Sequence, residues 1–365
     1  MNEEVDVIHA IKNALLKLFP EAIPGNNGNI KSFSSFGKEY HALTKGVGVR
    51  SLSGNVILKL TGKDVPDFLH RVSTNDVKNL GVFKHKNTLF TNEKGRIIDR
   101  TTLLKIGDYF LLVGNPDSDE KLKNWIEKYI IMEDIVLADV SQENTIFEFY
   151  GSQVDSFFTM LCGDKLADLN GENITVGDTE SIKSYVTKLK DINSVEKYWV
   201  IVSSAEAISF INYLNENRSV FDLQFAGDTS FEYFRIQNGM LSPNEINIKY
   251  NPHEINLISE VSFTKGCYIG QEVIARLDTY DKVQRTLKGV ILDIKSIPEL
   301  PIQLTSEDGS DAGEITSLAK SELNGEIIGL ALVRKKAIEN SGVIFANLNE
   351  KDQVKVQLTD LPIEE

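Results

Sequence analysis

The sequence of 365 residues predicts an α+β fold that ends in a small antiparallel β-barrel. Between Tyr40 and Leu214, short strand-like runs are joined by hairpin turns and lie beside helical segments, which is typical of α+β layers. After about Gln284, short β-rich runs alternate with polar turns, as in a small barrel. Neither a G-x-G-x-x-G loop nor a G-x-x-x-x-G-K-[ST] loop occurs, so no parallel Rossmann sheet or P-loop is expected.

Residues 1–35 are predicted to form a separate N-terminal segment. Apolar residues recur at helical spacing from Val7 to Phe19, which predicts a short amphipathic helix. Pro20 and Pro24 end this helix, and the Gly- and Asn-rich residues 25–29 predict a loop. We therefore expect a packed helix followed by a linker.

Residues 36–284 are predicted to hold strands and helices in alternation. Hairpin turns are expected at residues 92–95 and 107–108. Helices are expected at 63–72, where Pro66 is tolerated in the first turn, and at 117–129. Strands are expected at 55–60, 88–91, 96–106 and 109–113, and strand and helix alternate again from 135 to 214.

Residues 285–365 are predicted to form the barrel. The β-rich runs lie at 288–294, 313–317, 326–333, 343–346 and 353–358. No internal repeat and no segment of low complexity is visible. The barrel is thus expected as one further domain after the mixed α/β region.

Composition and charge restrict the class of protein. The chain is 41% hydrophobic and 25% charged, as in globular proteins, and has no run of about 20 apolar residues that could span a bilayer. Its acidic start, residues 1–6, lacks the features of a secretory signal or transit peptide, so a cytoplasmic location is expected. A net charge of −14 argues against a nucleic-acid surface but permits a local basic cleft for a small anion.

Only two cysteines occur, Cys162 and Cys267. A cytoplasmic chain would keep both reduced. There is no CxxC pair and no Cys/His cluster at zinc spacing, so no protein-held metal or iron–sulfur cluster is expected. Cys162 is most simply a buried cysteine at a helix end, and we assign it no role.

The densest group of candidate functional residues surrounds Cys267. Gly266 and Gly270 bracket it, and a helix is predicted to begin near Gly270. A position just before a helix N-terminus and two residues from Lys265 would lower the pKa of the thiol. Tyr268 offers a flat surface for a heteroaromatic ring. The alternative is a buried, inert cysteine at a strand-to-helix corner, and the residues alone leave both interpretations open.

Residues 265–272, K-G-C-Y-I-G-Q-E, resemble the K-G-C-Y-x-G-Q-E run that marks the YgfZ family of folate-binding proteins. The run R-I-Q-N-G at residues 235–239 resembles the R-[IL]-x-x-G run of the wider aminomethyltransferase superfamily. Further similar segments lie at 60–64, 73–77, 90–99, 251–257 and 313–317. The resemblance extends from about residue 38 to the end of the chain.

This resemblance implies a cloverleaf of two intertwined α+β (ferredoxin-like) units and a C-terminal antiparallel β-barrel around a central folate channel. Folate needs polar partners for its pterin edge, an aromatic surface for its ring and a cation for its glutamate tail. The resemblance implies tetrahydrofolate as cofactor and Cys267 as the catalytic residue. The implied folate contacts are Asp99, Arg235, Gln237, Lys265, Tyr268, Gln271 and Arg276.

Two positions depart from the true aminomethyltransferases that the chain resembles. Those enzymes carry two adjacent aspartates where this chain has Asp99 and Arg100, so a proton acceptor is replaced by a cation. They carry Glu where this chain has Gln237, which gives up charge assistance. Both departures weigh against glycine-cleavage chemistry. Asp99 itself is either a folate contact or a surface acid near a turn.

The function implied by the resemblance is folate-dependent support of iron–sulfur cluster assembly or repair, and indirectly of tRNA modification. Its partners would be folate and client iron–sulfur proteins, with no direct nucleic acid and no membrane. The thiolate of Cys267 would take part in one-carbon, redox or cluster-transfer chemistry. Two alternatives remain: a tetrahydrofolate-dependent aminomethyltransferase or demethylase, and a non-catalytic folate-sensing adaptor in which Cys267 is structural.

Overall fold

The computed structural model describes residues 7–25, 29–52, 54–116, 120–169, 171–280, 282–340, 342–349 and 352–364. The predicted acidic start and the first residues of the helix predicted at 117–129 lie outside these ranges, as does the middle of the loop predicted at 25–29. The α-helices are α1 (Val7–Leu18), α2 (Phe36–Thr44), α3 (Val65–Val72), α4 (Lys121–Tyr129), α5 (Val154–Cys162), α6 (Ala207–Glu216), α7 (Asp228–Gln237), α8 (Gln271–Thr279) and α9 (Lys335–Glu339). Short 3₁₀ segments lie at Gly163–Asp168, Ile192–Ser194, Ser204–Glu206 and Ile258–Glu260.

The strands form two open sheets, one barrel and one short pair. The strands before the barrel are β1 (Ile23–Pro24), β2 (Ile30–Ser32), β3 (Val47–Ser51), β4 (Asn55–Thr61), β5 (Lys84–Thr91), β6 (Ile97–Ile106), β7 (Tyr109–Pro116), β8 (Val136–Asp139), β9 (Asn144–Tyr150), β10 (Ile174–Thr179), β11 (Ile182–Lys190), β12 (Glu196–Ser203) and β13 (Leu223–Phe225). The barrel strands are β14 (Arg285–Leu292), β15 (Ile302–Ser306), β16 (Asp311–Lys320), β17 (Ile327–Arg334), β18 (Ile344–Asn347) and β19 (Gln353–Thr359).

The two open sheets are intertwined in sequence. The first sheet has five antiparallel strands in the order β5-β6-β7-β4-β8. The second has six strands in the order β10-β11-β12-β9-β3-β13, and within it β13 runs parallel to β3. Because β3 precedes the whole five-stranded sheet in the chain and β9 to β13 follow it, the continuous segment from β4 to β8 is inserted between the strands of the six-stranded sheet.

Apolar layers hold this arrangement together. Ile57 and Leu111 of the five-stranded sheet pack with Trp199 and Ile201 of the six-stranded sheet in a layer between the two. Helices α3 and α4 cover the other face of the five-stranded sheet, and α1, α5 and α6 cover that of the six-stranded sheet. Each large apolar side chain buried in this way stabilises the fold by about 1.5–3 kcal/mol.

The six C-terminal strands close into an antiparallel barrel in the order β14-β17-β16-β15-β18-β19. This confirms the α+β class and the C-terminal barrel predicted from the sequence. Strand β15 was missed by the prediction, because it is short, follows Pro301 and carries polar residues at alternate positions. We propose a domain boundary near residue 284, immediately before β14. We also propose that residues 1–35 form a separate segment. Within this segment, Ile11 and Leu15 pack in the core beside α6.

A buried carboxylate joins the elements on one side of the molecule. Glu39 on α2 has no exposed surface and accepts hydrogen bonds from the amides of Phe33 (2.6 Å), Ser34 (2.7 Å) and Gly227 (2.8 Å) and from the hydroxyl of Ser230 (2.6 Å). A charge buried at this depth is tolerated only when its oxygens are bonded in this way. The contact fixes α7, which begins at Asp228, against α2 and the end of β2. No helix in the described ranges is long and apolar enough to cross a membrane.

Candidate functional site

A cavity of about 930 Å³, called the central cavity here, lies where the two sheets, α7 and the barrel meet. Its wall comes from β6 and β7 of one sheet, from β9, β11 and β12 of the other, from α7 and from barrel strand β16. Small-molecule sites typically enclose roughly 300–1,000 Å³. The central cavity is therefore large enough for an extended heteroaromatic ligand.

The wall of the central cavity carries more positive than negative charge. Seven cationic and five anionic side chains line it, a surplus of two in a chain whose net charge is −14. Two of the cations, Lys31 and Lys190, are exposed at the rim and make no ion pair with a described residue. Low-dielectric walls focus such a local field, so the cavity attracts anions although the whole protein repels them.

A buried network of ion pairs crosses the cavity wall. The Arg100 guanidinium lies 2.7 Å from Asp191 Oδ1 and 2.6 Å from Glu260 Oε1. The Lys197 ammonium lies 3.0 Å from Asp191 Oδ2 and 2.9 Å from Glu148 Oε1. Burial alone would raise the pKa of Asp191, but Arg100 and Lys197 outweigh burial and hold that pKa well below its usual range. The Asp191 carboxylate is thus charged at neutral pH.

Two other polar groups on the wall have no hydrogen-bond partner among the described residues. The Tyr150 side chain is 1% exposed, and its hydroxyl has no hydrogen-bond partner among the described residues. Burial, reinforced by Glu148, raises the pKa of Tyr150 well above its ordinary value, so the hydroxyl stays a neutral donor. The Arg50 guanidinium lies 3.7 Å from the centre of the Phe231 ring and makes no hydrogen bond to a described residue. Burial raises the pKa of Asp228 above its ordinary value, and the nearby charge of Arg50 offsets only part of this effect.

Asp99 lies directly behind the cavity wall. It is buried, so it is not the surface acid that the sequence left open. Its carboxylate accepts hydrogen bonds from the amide (3.1 Å) and side chain (2.6 Å) of Asn115 and from the Arg100 amide (2.8 Å). A Cβ at Gly114 would lie 2.5 Å from Asp99 Oδ2, so only glycine lets the two strands approach this closely. Asp99 therefore positions Asn115, which lines the cavity.

Arg235 lines the central cavity, but its donors are engaged elsewhere. It pairs with Glu232 and donates to Ser317 Oγ (2.9 Å), which ties α7 to the barrel. Gln237 does not line the central cavity. Its Oε1 accepts the hydroxyl of Tyr40, which links α7 to α2.

Lys265 holds the segment before Cys267 in place. Its ammonium donates to the carbonyl oxygens of His70, Ser73 (2.7 Å) and Asn75 (2.7 Å) at and just beyond the end of α3. An ammonium has three N–H donors, so none is left for the Cys267 thiol. Burial lowers the pKa of Lys265 to about 8. The predicted folate contact is thus a structural anchor in this fold.

The residues that follow Cys267 are anchored as well. Tyr268 is 7% exposed in the apolar core, and burial raises its pKa to about 12. Gly270 has a φ of +85°, and a Cβ there would lie 2.6 Å from the carbonyl oxygen of Asn92. The Thr91 hydroxyl donates to the Ile269 carbonyl (2.6 Å). The turn between β5 and β6 therefore holds this segment from the other side.

Cys267 itself is free and exposed, which rules out the interpretation as a buried cysteine. Helix α8 begins at Gln271, immediately after the predicted start at Gly270, and Gln271 is half-buried. Arg276 is exposed in the last turn of α8. Cys267, Gln271 and Arg276 do not line the central cavity, so the structure separates these three residues from it.

Sequence reasoning missed most of the cavity's charged wall. Glu148 interrupts the apolar run that ends at Tyr150, and Lys197 precedes the aromatic pair that includes Trp199. A charged residue inside a run of buried strand positions indicates a paired, buried charge, because an unpaired one would be too costly. That pattern could have identified both residues. Asp191 follows the last residue of β11 and carries no such pattern.

The intertwined sheets and the barrel around one central cavity define an aminomethyltransferase-like protein of the glycine-cleavage T-protein superfamily. The chain belongs to the family described as "GCVT N-terminal domain", which it matches over residues 17–265. Its fold is similar to the crystal structure of the glycine cleavage system aminomethyltransferase T from Bartonella henselae, with a TM-score of 0.75 and 15% identity over 91% of this chain and 90% of that one.

Two curated relatives extend the comparison. A putative chloroplastic transferase of Arabidopsis thaliana is 27% identical over 323 residues, 85% of this chain and 71% of the relative. An aminomethyltransferase of Staphylococcus carnosus is 23% identical over 329 residues, 89% of each protein. Both similarities span most of this chain and support the same superfamily.

The lowered pKa of Lys265 predicts a pH-dependent stability. Between about pH 8 and pH 10.5 the unfolded chain retains a proton that the folded chain releases, so this residue makes the free energy of unfolding rise with pH. We expect urea unfolding of wild type and Lys265→Met at pH 7.5 and 9.5 to differ in slope, with the wild type gaining stability relative to the variant. Equal changes in both proteins would show that Lys265 does not titrate in this range.

Proposed function

We propose that this chain binds tetrahydrofolate in the central cavity and, as a YgfZ-type protein, supports the assembly or repair of iron–sulfur clusters. Its membership of the T-protein superfamily supports a folate ligand. Through client iron–sulfur enzymes the chain would also support tRNA modification. The observation that carries the proposal is a cationic cavity with unpartnered polar groups, separate from an exposed, firmly anchored cysteine.

The central cavity suits a reduced folate in size and chemistry. The surplus of positive charge suits the ligand's glutamate carboxylates, and Arg50, which has no hydrogen bond to a described residue, can pair with one of them. The unpartnered Tyr150 hydroxyl is a donor for a pterin acceptor. Asn115, held by Asp99, keeps its own side-chain oxygen as an acceptor for the pterin amine.

Cys267 is proposed as the functional residue of the cluster-related step. It is exposed, and its neighbours Lys265 and Tyr268 are engaged in holding the loop. A thiol on a fixed loop is accessible to a client protein or to a cluster bound as cargo. Because Cys267 does not line the central cavity, this role does not require contact with the folate.

The folate proposal predicts the effect of two substitutions on tetrahydrofolate binding. Titration calorimetry under reducing conditions should give saturable binding to the wild type. Tyr150→Phe should weaken binding about threefold to tenfold, as expected for one lost hydrogen bond. Arg50→Ala should weaken it by about tenfold or more, because a charge-assisted contact is lost.

Tyr213→Phe is the matched control, because Tyr213 lies on α6 and does not line the central cavity. It should bind tetrahydrofolate as the wild type does. Absence of saturable binding to the wild type would disprove the folate proposal. Equal weakening by the control would show that the substitutions act through stability rather than through contact.

The cysteine proposal predicts different outcomes for the two thiols. In cells that lack this chain, we expect reduced activity of a [4Fe–4S] dehydratase, restored by the wild type and by Cys162→Ser but not by Cys267→Ser. Cys162 is half-buried, and burial raises the pKa of its thiol to about 11, so it should be inert. Full restoration by Cys267→Ser, with folate binding intact, would instead support the adaptor function.

Aminomethyl transfer is the second candidate, favoured by curated relatives such as the Staphylococcus carnosus enzyme. Two features of the wall weigh against it. The oxygens of Asp99 are engaged by Asn115 and the Arg100 amide, and the Arg100 side chain is engaged by Asp191 and Glu260. Neither residue therefore offers a free proton acceptor in the strand where those enzymes carry two aspartates.

We expect that this chain does not form methylene-tetrahydrofolate and ammonia from tetrahydrofolate and a protein-bound aminomethyl donor. Ammonia release and folate absorbance would be followed together, with a glycine-cleavage aminomethyltransferase as the positive control. Turnover above the rate without protein would favour the second candidate.

A further inference from the structure

Strand β8 forms one edge of the five-stranded sheet, because it pairs with β4 on one side only. Val140, directly after β8, donates its amide to β4 (2.9 Å). Because backbone groups alternate along an antiparallel pair, the even-numbered residues of β8 also face β4. The amides and carbonyls of Leu137 and Asp139 therefore point outward, and no described residue bonds to them. This outward row is called the β8 edge here.

Two other sheet edges are covered by the chain itself. At the start of β5, the His85 amide donates to the Glu172 carbonyl (2.8 Å). At β10, the Lys165 ammonium donates to the Val176 carbonyl (3.2 Å). The β8 edge has no such cover among the described residues, and β8 contains no lysine or proline that would block pairing. An uncovered edge of this kind is a template for pairing with another chain.

Exposed apolar side chains lie on and beside β8. Val136 is 64% exposed, and Ile131 and Met132 in the preceding loop are 80% and 93% exposed. The last two are the most exposed large apolar side chains in the described part of the chain. Single exposed apolar residues are ordinary on a monomer, but a group of them beside an unpaired strand indicates an interaction surface.

We propose that the β8 edge pairs with the β8 edge of a second copy of this chain and so joins two five-stranded sheets across a two-fold axis. Two-fold symmetry brings identical surfaces together, and two strand edges related in this way run antiparallel. With the axis at Leu137, the two Leu137 residues exchange their amide and carbonyl groups. The central cavity stays open to its ligand, because no residue of β8 lines it.

The side chains of β8 favour a second copy in this register. With the axis at Leu137, Val136 lies directly opposite Ala138 of the second copy, and both are exposed apolar residues. They meet as a pair without hydrogen bonds, where side chains approach most closely. The two Asp139 carboxylates then lie about 14 Å apart along the strands. With the axis at Ala138, these carboxylates would lie diagonally opposite each other and repel.

Sedimentation equilibrium of the full chain tests this pairing, in reducing buffer so that the exposed Cys267 forms no disulfide. A four-residue edge buries less than the roughly 1,600 Å² of a standard interface, so we expect a weak dimer with a dissociation constant in roughly the micromolar range. The double variant Val136→Lys, Ala138→Lys places like charges opposite each other in two pairs. It should weaken dimerisation at least about tenfold.

Val220→Lys is the matched control, because Val220 is also 64% exposed but lies in a turn outside the sheets. It should dimerise as the wild type does. Near-ultraviolet circular dichroism of each variant should match the wild type, since the substituted side chains are exposed in the single chain.

An exchange of charges tests the two-fold register. The double variant Val136→Glu, Ala138→Glu should also be monomeric on its own. Mixed with the lysine variant, it should form a heterodimer, because each lysine then faces a glutamate. This heterodimer should weaken as salt is added.

A wild type that stays monomeric at about 1 mM would overturn the proposal, and an extended segment of another protein would then be the expected occupant of the edge. A dimer that persists in the lysine variant would overturn it as well, because the contact would lie elsewhere. Loss of the dimer in both double variants without recovery in their mixture would reject the two-fold pairing.

Discussion

Arg100 on β6 is held between Asp191, which follows β11, and Glu260, in the segment that leads to Cys267. Lys197 on β12 and Glu148 on β9 extend this contact into the six-stranded sheet. The network thus joins both sheets and the cysteine segment through one wall. Removing one partner of a buried ion pair costs about 3–5 kcal/mol, because the other charge stays buried. The spacing of the sheets, and with it the cavity between them, depends on these charges being present together.

The residues around Cys267 hold their segment in place, whereas the Cys267 side chain itself does not. Lys265 is bonded to the end of α3, Tyr268 is packed in the core, and Gly270 is fitted against the turn after β5. These structural contacts alone account for the residue types at positions 265, 268 and 270. The side chain of Cys267 has no such structural role, since it is exposed and free. The segment is thus held from two sides and leaves the Cys267 thiol accessible at the surface.

The α+β class, the hairpins and the barrel could be predicted because they depend on local patterns of turns and alternating apolar residues. Strand β15 could not, because a short strand with alternate polar residues differs little from a loop until its barrel neighbours are known. The candidate site was harder to predict from the sequence for the same reason. Asp99 and Arg235 are close in space to the cavity, but their engagement with Asn115 and Ser317 depends on distant segments. The residue types in the sequence indicated which polar side chains could be functional. Tertiary contacts between distant segments decided which of these side chains are engaged by other residues.

The arginine at position 100 also bears on what the cavity can bind. With Arg100 present, Asp191 and Glu260 are neutralised, and the wall keeps its surplus of positive charge. An aspartate in its place would put three carboxylates beside Lys197 as the remaining cation of the network. Like charges at this distance cannot all ionise, so one would be protonated or the wall would repel an anionic ligand. A change at position 100 would therefore affect more than one residue, because Arg100 and its two carboxylates depend on one another.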